Sequence, residues 1–135
     1  MPSQLSTLGA RAAGVAILAL GLAGPATAVV DADFRFDTTK ELVAICAVPE
    51  SAPEYSVARQ ACRAFIEATA QYHDAVSKRN KLKRLFCLPA NATIEDAVAA
   101  FSAWGAAKAG DAKLMAEPPV FGVVRALAAK NACKD

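Results

Sequence analysis

Four cysteines, Cys46, Cys62, Cys87 and Cys133, constrain this 135-residue chain more than any other feature. Their gaps of 16, 25 and 46 positions contain no CxxC, and the one histidine, His73, stands at no zinc-ligand spacing from them. No metal site is therefore expected. An even number of thiols without metal spacing reads as two disulfides, provided the chain reaches an oxidising compartment.

The N-terminal segment supplies that condition. Arg11 is followed by an uncharged apolar run from Ala12 to Gly24 and then by Pro25-Ala26-Thr27-Ala28, whose small residues suit a signal peptidase. The run falls short of the roughly 20 apolar residues that span a bilayer. Residues 1–28 are thus expected to be a cleaved secretory signal and residues 29–135 one small mature domain with no membrane span. A domain of that size has a modest core, so cross-links add materially to its stability.

Hydrophobic residues make up 55% of the chain but aromatics only 7%, so alanine and aliphatic side chains carry the apolar fraction and favour helix. A net charge of +2 is too small for nucleic-acid binding by bulk attraction, and a chain this apolar is not disordered. Thr38-Thr39-Lys40-Glu41 has the form of a capping box and opens a first helix, about Thr39 to Val48, presenting Leu42, Ile45 and Cys46. Ser51-Ala52-Pro53-Glu54 opens a long second helix with Ala61, Phe65, Ala68, Tyr72 and Val76 as its apolar stripe. This helix frays between Lys78 and Arg84, and Cys87-Leu88-Pro89 marks a break. Thr93-Ile94-Glu95-Asp96 opens a third helix burying Ile94, Val98, Phe101 and Trp104. Pro118-Pro119 opens a fourth with Val120, Val123, Val124 and Leu127 turned inward. Phe65, Tyr72, Phe101, Trp104 and Phe121 are the expected fillers between alanine-rich helices. The fold class is all-α, a small disulfide-stapled bundle of about four helices. An up-and-down arrangement puts Cys46 beside Cys62 and Cys87 beside Cys133. This favours those pairs among the three connectivities open to four cysteines.

Catalytic chemistry has little to work with. His73 is alone and expected to face solvent. The mature serines stand in no GxSxG, and there is no phosphate loop or HExxH. Glu95-Asp96 suits the positive end of a helix. No catalytic residue, cofactor or metal is assigned, and the chain is not expected to be an enzyme. Lys78-Arg79-Asn80-Lys81-Leu82-Lys83-Arg84 is the sharpest charge feature. It reads as a solvated helix end, or as a patch for an acidic partner or anionic lipid. Asn91-Ala92-Thr93 matches a glycosylation acceptor, for which helix capping is a sufficient explanation.

The cysteine-bearing motifs carry a resemblance. Cys62-Arg63-Ala64-Phe65-Ile66-Glu67-Ala68 is similar to the C-x-G-Y-I-x-G segment of the Rap/Tai family. Phe86-Cys87-Leu88-Pro89 with Thr93 resembles its F-C-x-P…T segment, and Ala126-Leu127 with Cys133 its closing A-L…P-C. Alanines replace both glycines, Phe65 the tyrosine and Ala132 the proline. The likeness runs from about Phe34 to Cys133 and includes the spacing of all four cysteines. It implies a periplasmic immunity protein, often homodimeric, that binds a peptidoglycan amidase effector of a type VI secretion system and blocks its cleft. An inhibitor of this kind needs a rigid scaffold and a protruding element. The connector Lys108 to Glu117 is the expected protrusion, with Lys108, Gly110, Asp111, Lys113, Leu114 and Met115 as partner-binding residues. In this reading Gly110 permits a sharp turn, and Leu114 and Met115 serve as apolar anchors. A periplasmic stress or acid chaperone is the alternative, and a peptidoglycan hydrolase a third reading.

Overall fold

The structure, a computed structural model, describes residues 28–134. The expected signal segment lies outside the described residues except for Ala28. A 3-10 turn, Asp31–Arg35, leads into helices α1 (Thr39–Cys46), α2 (Tyr55–Asn80), α3 (Ile94–Lys108), α4 (Ala112–Ala116) and α5 (Pro119–Lys130), with no strand among the described residues. The four expected helices are present, and α4 is a single turn inside the connector.

Helix α1 is only eight residues long, yet it touches each of the other helices. The Thr38 hydroxyl accepts from the Glu41 amide, while the Glu41 carboxylate accepts from the Thr38 amide at 3.0 Å, closing the expected box. The next orphan donor is met by tertiary structure: the Thr39 amide and hydroxyl both donate to the Glu117 carbonyl, at 2.7 and 3.0 Å. Thr39, Leu42 and Ile45 are buried. Two glycines let α1 sink this far. A methyl group on Gly122 would lie 2.5 Å from Thr39 Cγ2, and one on Gly105 would lie 2.7 Å from Val43 Cγ2.

Disulfides join Cys46 to Cys62 and Cys87 to Cys133, the pairing that the up-and-down arrangement favours. The first accounts for a correction on α2. Cys62 must face α1, so the buried side runs through Ala58, Cys62, Ile66, Thr69 and Ser77, about one position away from the expected stripe. Ala68 and Tyr72 consequently stand outside, while Ala61, Phe65 and Val76 are half-buried. Residues 49–55 are used in two tight turns, with the Ala52 amide on the Pro49 carbonyl and the Tyr55 amide on the Ala52 carbonyl. Helix α2 therefore starts at Tyr55, without a side-chain cap from Ser51. Pro49, which cannot donate, helps stop α1 at Cys46 rather than Val48.

Small residues also win the inner faces elsewhere. Helix α3 buries Ala97, Ala100, Phe101 and Gly105, leaving Ile94, Val98 and Trp104 half-buried. Helix α5 buries Pro119, Gly122, Val123, Ala126 and Leu127, while Val124 is half-buried and Val120 and Phe121 are exposed. The close approach to α1 selects the smallest side chains for the contact and displaces the large ones to its flanks. Among the expected fillers, only Phe101 is fully buried. Phe86 joins it in the core.

Gly122→Ala is expected to lower unfolding free energy by about 1–3 kcal/mol, because buried Thr39 has no room to yield; urea denaturation measures it. Cys87→Ala/Cys133→Ala removes a 46-residue covalent loop. The chain-entropy relation puts its cost at about 4 kcal/mol, seen as a lower urea midpoint in the oxidised protein.

Candidate functional site

The connector after α3 is rigid. The Asp111 amide bonds to the Lys108 carbonyl at 2.9 Å, closing a turn. The Asp111 carboxylate then caps α4, accepting from the Lys113 and Leu114 amides at 3.1 Å each. At the far end Glu117 bonds to α1 through its carbonyl and pairs with Arg125 through its carboxylate at 3.0 Å. Lys108, Gly110, Asp111 and Lys113 are exposed, and Leu114 is half-buried.

Two expectations about this segment change. Met115 is only 6% exposed, because the single turn of α4 packs on α1 and points this side chain into the body. It anchors the connector to the fold rather than offering a contact to a partner. Gly110 has no left-handed backbone, and a methyl group there would meet nothing within 4 Å, so the turn does not depend on glycine.

The second region of interest follows α2. Lys81 adopts a left-handed conformation at φ 54°, and the chain turns back. Residues 82–86 then run along α2, where Phe86 is fully buried and stacks on His73 with ring centroids 4.0 Å apart. His73 is thus not solvent-facing: its side chain is 8% exposed. Its Nε2 accepts from the Leu85 amide at 3.0 Å, and its Nδ1 lies 3.0 Å from Asp74 Oδ1. An accepting Nε2 puts the ring proton of the neutral form on Nδ1, facing the carboxylate. Arg84 closes on the same Asp74 oxygen at 2.7 Å. Phe86 is absent from the expected fillers, and its place next to Cys87 is the sequence signal that could have found it.

A cleft over the Cys46–Cys62 bridge holds Arg59 and Arg63, both engaged. Arg63 pairs with Glu95 at 2.9 Å and Arg59 donates to the Tyr55 hydroxyl at 2.8 Å. Among the described residues, no group of three His, Cys, Asp or Glu is placed to hold a metal ion. All four cysteines are oxidised. No described helix is long and apolar enough to cross a membrane.

The described residues form a helical body cross-linked by two disulfides, with a capped turn and surface charge on its outside. Residues 38–133 match the family model of Rap1a immunity proteins, and the chain belongs to that family. Membership makes its counterpart a protein effector. No protein of curated function and no solved structure matches the chain at a significant level. Both alanines that replace the motif glycines, Ala64 and Ala68, are exposed on α2, so the exchange leaves the core untouched.

Asp74 supplies a pH test. Burial raises its carboxyl pKa, but hydrogen bonds from His73 and Arg84 and the charge of Arg84 outweigh that and hold it below its ordinary 3.8. A depressed carboxylate stabilises the fold above its unfolded pKa, and the contribution is lost as pH falls through the lower folded value. Asp74 is mostly exposed, so screening keeps the gain below about 1 kcal/mol. The stability difference between the wild type and Asp74→Asn, from urea melts, is expected to be largest above the ordinary aspartate value of 3.8 and to shrink as pH falls below it.

Proposed function

We propose that the chain is a periplasmic immunity protein that binds and blocks a peptidoglycan amidase effector of a type VI secretion system. The family match over residues 38–133 carries this reading. Two disulfides accord with an oxidising compartment, as does an N-terminal segment read as a cleaved signal, with residues 29–135 forming the mature domain.

Blocking a cleft requires shape and stiffness, not reactivity. The capped turn from Lys108 to Lys113 presents two amines and a carboxylate on backbone already fixed by hydrogen bonds, so little conformational entropy is lost on docking. In this proposal Lys108, Gly110, Asp111 and Lys113 meet the effector, with Leu114 as a partial apolar contact. A homodimer would present two such turns.

Co-expression tests the reading. A peptidoglycan amidase effector found encoded beside this gene, exported to the periplasm, is expected to lyse cells, and the exported chain to restore growth. Continued lysis with the chain present at matching abundance overturns the proposal. Strong binding of a hydrophobic dye in acid, above the unfolding transition, would point instead to a chaperone.

A further inference from the structure

Seven large hydrophobic side chains stand exposed among the described residues, and their placement is uneven. Four of them, Tyr72, Leu82, Leu85 and Val120, line one groove of about 320 Å³ between the second half of α2, the returning segment and the first turn of α5. Tyr72 is 71% exposed, Leu85 61% and Leu82 55%. Apolar residues scattered singly need no explanation, but convergence on one concave surface marks a contact site.

The groove is preformed. The left-handed turn at Lys81 lays Leu82 and Leu85 beside α2, and the bond from the Leu85 amide to His73 holds them there. Part of the apolar stripe legible in the sequence, Ala68 and Tyr72, is left uncovered by the fold and leads into this groove.

Charge selects the occupant. Five of the chain's fifteen cationic residues fall between Lys78 and Arg84, while the whole chain carries only +2. Asp74 is the carboxylate within this cluster, and Arg84 engages it. Lys83 lines the groove, and Lys78, Lys81 and Arg84 line an adjoining cleft that shares Ser77 and Leu82 with it, so a two-fold contact between copies centred here would bring two cationic flanks together, which disfavours a second copy of the chain. A bilayer is flat, whereas this site is a cleft between three elements.

We propose that this groove is a second docking site, receiving apolar side chains flanked by carboxylates on the effector protein. Naming the effector as occupant rests on the immunity reading above. The site reinforces the connector, since Val120 on its edge lies three residues beyond Glu117.

Isothermal titration of the full oxidised chain with the purified effector tests the site. Leu82→Glu/Leu85→Glu changes two exposed positions and should keep the circular dichroism and thermal midpoint of the wild type. It is expected to raise Kd about 100-fold. Lys78→Glu/Lys81→Glu is expected to raise Kd about 10-fold at low salt and to flatten its dependence on sodium chloride between about 50 mM and about 0.5 M. Unchanged Kd in both variants, with tight wild-type binding, overturns the groove and leaves the immunity reading intact. Absence of both wild-type binding and protection overturns the two together. A wild-type dimer that Leu82→Glu/Leu85→Glu splits in sedimentation equilibrium identifies a self-contact and also overturns the proposal. So does wild-type binding to phosphatidylglycerol vesicles that the same variant loses.

Discussion

The fold depends on how deeply one short helix can be buried. Helix α1 is far below the length at which an isolated helix holds its shape in water, so tertiary contact must maintain it. Gly105 and Gly122 remove the side chains that would keep α3 and α5 at a distance, the Glu117 carbonyl accepts from the Thr39 amide and hydroxyl, and the bridge to Cys62 fixes its last turn. Each contact is made with a different part of the chain. A short central rod therefore coordinates elements that are distant in sequence.

This arrangement explains what could be read from the residues and what could not. Helix starts marked by local chemistry were legible: the Thr38 capping box forms as spelled and the third helix opens at Thr93, which closes a box of its own with Asp96, because the donor, hydroxyl and carboxylate all lie within four residues. The cystine pairing is the one that an up-and-down order of helices favours among three connectivities. Rotation about each helix axis was less legible, since apolar periodicity on alanine-rich helices defines more than one acceptable face. On α2 the stripe through Phe65 and Tyr72 and the stripe through Cys62 and Ile66 were both adequate, and the covalent bond to Cys46 decided between them.

The surface was the hardest part to read. The exposure of the connector from Lys108 to Lys113 accords with its charge and its position between helices. Yet the inward turn of Met115 depends on a one-turn helix too short for any periodic signal. His73 gave no hint of burial, because its partners, Leu85 and Phe86, reach it only through a chain reversal at a lysine. A left-handed non-glycine residue leaves little trace in sequence.

The two cross-links enclose separate rings, residues 46–62 and 87–133, and neither ring includes residues 63–86. Most of α2 and the segment that turns back along it are therefore held by packing and hydrogen bonds alone. Under thermal or mechanical load this stretch has no covalent shortcut, so neither cross-link opposes its local opening. The same stretch bears Tyr72, Leu82 and Leu85, so the apolar groove they line is shaped by non-covalent contacts between the two cross-links.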